Sequence, residues 1–319
     1  MSPGAAANAP AIEVEFPDLS AYAAGNTGVP FVWTYASEHP GPHVVVQALT
    51  HGNEVCGAIA IDALMREGLR PIRGTLSWVF ANVAAYLRFD AASPFASRCV
   101  DEDFNRLWTA AVLDGPRESV ELTRARALRP LYERCDCLLD LHSMSDPCPP
   151  LAMAGPQAKG LALARAIATP PHVIVDRGHA SGRRLRDYAF FDDPVDPRNA
   201  LLIECGQHWE SSAPAVARDA ILRMLDHLDM LDTARSRALA PAAGPQHVIE
   251  VTTTVTITSD DFRFVVPVQG LQTIASAGSV YAIDGGTPIQ TPHDDSVLIM
   301  PTRRPKRGET AVRIGRYVE

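Results

Sequence analysis

The sequence predicts an α/β fold, a sheet covered by helices on both faces, with a small all-β unit at the C-terminal end. One observation is a series of short apolar runs of the length of buried strands: FVWTYA (31–36), HVVVQAL (43–49), TLSWVFA (75–81), CLLDLH (137–142), PLAMA (150–154), HVIVD (172–176) and ALLIE (200–204). A second is the helical spacing of the stretches 53–67, 117–134, 157–168 and 212–232. In the first of these, Val55, Ile59, Ala63 and Leu64 share one stripe. Strands alternating with helices call for a sheet with both faces covered. The third is that this alternation stops near residue 240. PAAGPQ (241–246) reads as a hinge, HVIEVTTTVTIT is rich in β-branched residues, and Asp284-Gly285-Gly286 and Pro292-His293-Asp294-Asp295 are turn formers. The expected units are therefore 1–240 and 241–319. Residues 1–27, rich in Ala, Pro and Gly, read as a loose arm or an edge strand.

Composition narrows the function. Of 319 residues, 46% are apolar and 21% charged, the make-up of an ordinary globular protein. Acidic residues outnumber basic ones by 37 to 29, a net charge of -8 that repels phosphate backbones, so nucleic acid is not an expected partner. No apolar stretch approaches the roughly 20 residues that span a bilayer. The first residues lack the basic end and apolar core of a secretory signal, and the expectation is a cytoplasmic protein without a membrane partner. Six cysteines are too few for a disulfide scaffold and read as free thiols. Cys135 and Cys137 form C-x-C on an apparent strand, which small buried thiols explain more simply than a metal knuckle does.

The informative polar residues are those that end strands. His51, Asn82, His142 and Glu204 each close or follow an apolar run. In open α/β sheets, ligands bind beyond the carboxyl ends of the strands, so such positions converge if the strands are parallel neighbours. In His51-Gly52-Asn53-Glu54 the spacing of three sets an imidazole and a carboxylate on one side of a turn, and Gly52 leaves room for close approach. With His142 as a third ligand, the set is two His and one carboxylate with a fourth position open, the pattern of a catalytic zinc site.

Four motifs, T-H-G-N-E (50–54), R-C-V-D-E-D-F-N-R-L (98–107), D-L-H-S (140–143) and I-E-C-G (203–206), resemble in order and spacing the succinylglutamate desuccinylase and aspartoacylase family, whose catalytic domain is related to the zinc carboxypeptidases. The resemblance implies a three-layer α/β/α domain with a mixed, largely parallel sheet, and it extends to the β-rich tail. It implies one zinc per chain held by His51, Glu54 and His142, with Glu204 as general base toward a zinc-activated water. It further makes Asp103 the acceptor that orients the His51 imidazole, Arg98 the oxyanion stabiliser, and Asn105 and Arg106 the holders of a substrate carboxylate. A homo-oligomer is expected on the same ground.

The substrate-recognising part departs from the family. Asn82-Val83 stands where Asn-Pro is frequent, and the tail GETAVRIGR offers no tyrosine, the only later one being Tyr317. Arg183, Arg184, Arg186 and Arg198 all compete for the role of a further arginine before Glu204, and the basic run 303–316 is a second source of positive charge. The expected activity is a zinc-dependent amidohydrolase acting on an N-acyl amino acid or a related small carboxylate-bearing amide. A carboxypeptidase-like peptidase and a metal-binding protein without turnover stand as the alternatives.

Overall fold

The structure, a computed structural model, describes residues 10–178, 181–241 and 244–318. The first nine residues of the N-terminal arm, and residues 242 and 243 of the hinge run, lie outside the described residues. From residue 10 to 27 the arm is not an edge strand, and its regular structure is a short 3₁₀ turn at Ser20–Tyr22.

Seven strands precede the hinge: β1 (Val32–Ala36), β2 (His43–Ala48), β3 (Thr75–Phe80), β4 (Cys137–Met144), β5 (Leu151–Met153), β6 (His172–Val175) and β7 (Asn199–Gln207). Among them run the helices α1 (Cys56–Arg66), α2 (Val83–Tyr86), α3 (Ala110–Leu113), α4 (Val120–Tyr132), α5 (Ala158–Ile167) and α6 (Ala213–His227), with α7 (Thr233–Ala238) after them. Local chemistry sets their ends. The Ser119 and Thr109 side chains accept backbone N–H bonds at the starts of α4 and α3, and Pro214, which needs no partner for a backbone N–H, sits in the first turn of α6.

Strands β8 (His247–Thr256), β9 (Arg263–Phe264), β10 (Gln272–Ile274), β11 (Val280–Asp284), β12 (Thr287–Gln290), β13 (Ser296–Ile299) and β14 (Thr310–Tyr317) follow. The main sheet has 11 strands in the order β1-β3-β2-β4-β7-β5-β6-β8-β14-β13-β10, and β12-β11-β9 form a second sheet of 3. Within the main sheet β3, β2, β4 and β7 are parallel neighbours, as are β5, β6 and β8, while β1 and the tail strands β14, β13 and β10 run antiparallel to theirs. The sheet is thus mixed and largely parallel through its N-terminal part, and the C-terminal strands join it through the β6–β8 pair.

Period-two alternation distributes the core over the two faces. Val44 and Val46, Leu139 and Leu141, and Leu201 and Ile203 pack with Ile61 and Leu64 of α1, Leu163 of α5 and Ile221 of α6. The intervening Val45, Leu138 and Ala200 face the opposite way, onto Leu122, Ala125 and Leu128 of α4 with Phe104 and Trp108. Each such fully buried aliphatic side chain contributes about 1.5–3 kcal/mol. This two-faced burial fixes β2, β4 and β7 in register, so their carboxyl ends stop side by side, with His142 directly opposite Glu204.

Candidate metal centre

His51, Gly52, Asn53 and Glu54 form the tight passage from β2 into α1. The Glu54 N–H returns to the His51 carbonyl at 3.2 Å, and the Gly52 N–H reaches the Arg98 carbonyl at 3.1 Å. A Cβ on Gly52 would lie 2.4–2.5 Å from backbone atoms of Ala85, Tyr86 and Ser97, so only glycine lets α2 and the Ser97 carbonyl come this close to the turn. Helix α1 starts without a side-chain cap, and the Glu54 carboxylate is spent on the two imidazoles.

His51, Glu54 and His142 are all buried, and a potential ligand atom from each lies within 4.8 Å of the others. Nδ1 of His51 is 2.7 Å from Glu54 Oε1, and Nδ1 of His142 is 2.8 Å from Glu54 Oε2. The other nitrogen of each ring faces an aspartate: His51 Nε2 lies 2.9 Å from Asp103 Oδ1, and His142 Nε2 lies 3.0 Å from Asp140 Oδ2. Asp140 is itself fixed, its Oδ1 accepting from Gln47 Nε2 at 3.0 Å and Thr50 Oγ1 at 2.8 Å. Imidazoles whose far nitrogens are backed by carboxylates, with the near ones turned to a third acid, are the donor set of a divalent cation. The residues therefore fit zinc.

The charges agree. Burial pushes the Glu54 carboxyl up, but the His51 and His142 imidazoles outweigh it and hold the group well below the usual carboxylate range. Burial opposes charge on His142, and Asp140 with Glu54 reverses that, raising it well above an ordinary histidine. Glu204 is in the opposite situation. Burial pushes it up to about 7, assisted by Glu54 and opposed by His142, and its Oε2 has no hydrogen-bond partner among the described residues.

The remaining expected site residues lie in the same cavity, which is lined by His51, Glu54, Arg98, Asn105, Arg106, His142 and Glu204. The Arg98 guanidinium reaches Glu54 Oε1 at 3.3 Å, His51 Nε2 at 2.9 Å and Asp103 Oδ2 at 3.0 Å. Asn105 directs its Oδ1 to the Leu185 N–H at 2.8 Å, so this atom anchors the 183–187 loop. Arg106 Nη1 donates to the Asn105 carbonyl at 2.8 Å and its Nε to Ser181 Oγ at 3.2 Å. Asn82 takes no place in the cavity; its amide donates to Glu121 and its Oδ1 caps α2.

Of the four competing arginines, Arg184 lines the cavity, bound to Asp176 and Asp187. Arg186 is fully buried behind it, where Gly155 and Gly160 make room for its guanidinium. Arg183 pairs with Asp192, and Arg198 with Asp196. From the basic tail, Arg303 and Arg313 reach the cavity and Tyr317 does not. His208 escaped the motif reading, while Asp140, inside D-L-H-S, and Arg313, inside the basic run 303–316, were given no role of their own. Asp140 carried a signal, since D-x-H on a strand puts both side chains on one face. The six cysteines are free thiols, and Cys135, Cys137 and Cys205 are buried. Among the described residues no helix is long and apolar enough to cross a membrane.

Comparison with known proteins adds the family. Residues 40–195 match the model of the succinylglutamate desuccinylase/aspartoacylase catalytic domain. Comparison with curated proteins gives no match. Among solved structures, a succinylglutamate desuccinylase from Vibrio parahaemolyticus is similar at a TM-score of 0.69 and 18% identity, over 91% of this chain and 87% of the other. A succinylglutamate desuccinylase/aspartoacylase from Rhodobacter sphaeroides gives 0.65 and 18%, over 90% and 89%. A product-bound ectoine utilization protein from Ruegeria pomeroyi gives 0.61 and 17%, over 89% and 87%. At these identities the likeness is one of fold. Residues 40–195, just under half of the chain, thus resemble the catalytic domain of the succinylglutamate desuccinylase/aspartoacylase family.

Proposed function

We propose that the protein is a zinc-dependent amidohydrolase that removes the acyl group from an N-acyl amino acid or a related small carboxylate-bearing amide. The observation that carries this reading is the convergence of His51, Glu54 and His142 within 4.8 Å, in one cavity with the buried Glu204. A divalent cation held by these three groups supplies Lewis acidity, making water a nucleophile near neutral pH and polarising a carbonyl.

The chain's own groups do the rest. Glu204, pushed up to about 7 by burial, suits a group that takes a proton from the attacking water and delivers it to the leaving amine. Arg98, oriented by Glu54 and Asp103 and half-buried at the cavity, stabilises the negative charge that develops on the carbonyl oxygen. Asp103 and Asp140 hold the imidazoles in the orientation that presents Nδ1. Asn105 and Arg106 bind a carboxylate of the substrate, and Arg184, Arg303 and Arg313 extend the positive wall. In this reading residues 1–240 carry the chemistry, while residues 241–319 close the cavity with Val268, Met300 and Arg313. A small anionic substrate is in keeping with relatives named for succinylglutamate.

The test is metal analysis of the purified protein together with amine release across N-acetyl and N-succinyl amino acids and short peptides. Cleavage of the acyl amino acids with peptides refused is the expected result. The reverse selectivity supports a carboxypeptidase-like enzyme, and bound zinc without hydrolysis a binding protein.

A further inference from the structure

His208 stands outside the four motifs, four residues past Glu204 where the chain leaves β7. Its backbone N–H donates to the Met144 carbonyl at 2.9 Å, which ties it to the end of β4 beside the ligand His142. The side chain is buried between aromatic rings, with centroids 5.4 Å from Trp209 and 6.2 Å from Phe95, yet it lines the cavity. Nδ1 lies 2.9 Å from the Ser143 hydroxyl. That hydroxyl has no other hydrogen-bond partner among the described residues, and when it donates to Nδ1 the ring proton sits on Nε2. Nε2 has no protein partner among the described residues and is not sealed away from the cavity. Burial, with Arg98, His51 and Arg304 adding to it against Glu54, lowers the group to about 3, so the ring is uncharged, and its aromatic neighbours hold it in place.

We infer that His208 is a substrate-binding residue, donating from Nε2 to a carboxylate or carbonyl oxygen of the anionic substrate, with Ser143 fixing its tautomer. A neutral donor suits this place. It adds direction without a further charge beside the cation site, and the aromatic clamp removes the rotamer freedom that binding would otherwise have to freeze. The inference deepens the deacylase reading and rests on it for the nature of the ligand.

The experiment compares wild type, His208→Phe and His208→Gln by calorimetric titration with succinate, by amine release from N-acetyl- and N-succinyl-glutamate, and by metal content. His208→Phe is expected to lose about tenfold in succinate affinity and in kcat/KM, the size of one hydrogen bond to a charged group, with metal content unchanged. His208→Gln, whose amide nitrogen can occupy the place of Nε2, is expected to recover most of both. Equal impairment of the two variants, loss of metal with loss of binding, or unchanged succinate affinity in His208→Phe overturns the inference. Should wild type release no amine from any N-acyl amino acid, the deacylase reading falls, while the succinate titration still decides on His208. Failure of wild type to bind succinate at millimolar concentration overturns it.

Discussion

Each imidazole of the metal centre is held between two acids, one in front and one behind. Asp140 backs His142 from the same strand, two residues earlier, and takes hydrogen bonds from Gln47 and Thr50 of the neighbouring chain segment. Changing Asp140 to Asn keeps the shape but removes the negative charge behind the ring. Metal affinity, read by competition with a chelator, should fall about 10–100-fold. Glu204 is different, because it lies outside the His51, Glu54 and His142 group proposed to hold the metal. Glu204→Gln should keep the metal and lose about 10²–10⁴-fold in turnover, measured as amine release; activity near wild type removes the base role. The sequence made His51, His142 and Glu204 legible because each ends an apolar run, and strand ends are where a parallel sheet gathers its polar groups; Glu54 was legible by its spacing of three from His51. The sequence left His208 dark and did not single Arg313 out of the basic run 303–316. Their neighbours are brought in by tertiary packing from distant segments, and no local period links them to the site.

At the scale of elements, the β2–α1 turn and the 98–106 segment are one assembly. Glu121 of α4 helps to hold it, its carboxylate accepting the N–H groups of Val100, Asp101 and Glu102 at 2.6, 3.0 and 3.3 Å. Gly52 is where the two pieces touch. Gly52→Ala should cost about 1–3 kcal/mol by forcing backbone apart and should lower metal content together with the melting temperature. A second assembly joins Arg184, Asp176 and Asp187 under the cavity. Burial raises Asp187, but Arg184 and then Arg186 outweigh it and the net shift is downward. A carboxylate depressed in the folded state contributes stability that is present above its unfolded value of about 3.9 and is lost as pH falls through the folded one. Melting temperature should therefore drop in acid more steeply for wild type than for Asp187→Asn, and parallel acid limbs would refute the contribution. The strands of this half were readable as short apolar runs and α1, α4, α5 and α6 from their period, whereas the short α2 and α3 were not read. The mutual dependence of its loops was not readable, since no local period links Glu121, in the first turn of α4, or Asn105 to the loops they hold.

For the molecule as a whole, the sheet runs from β1 to β10 through both halves of the chain, and the cavity lies where the parallel strands end and the tail folds over them. The β-branched tail announced its strands, but pairing of β8 with β6 depends on the register of residues some 75 positions apart, which no local pattern encodes. The family match covers residues 40–195, so His208 and the tail wall are read from geometry, and Glu204 from its motif together with its place opposite His142. All of the proposed chemistry requires one cation between His51, Glu54 and His142, and the most direct measurement is elemental analysis of the purified protein beside His142→Ala. The account predicts one zinc per chain in wild type and none retained in the variant. A wild-type protein free of stoichiometric first-row metal after zinc loading, or a variant that holds zinc as tightly, would contradict it.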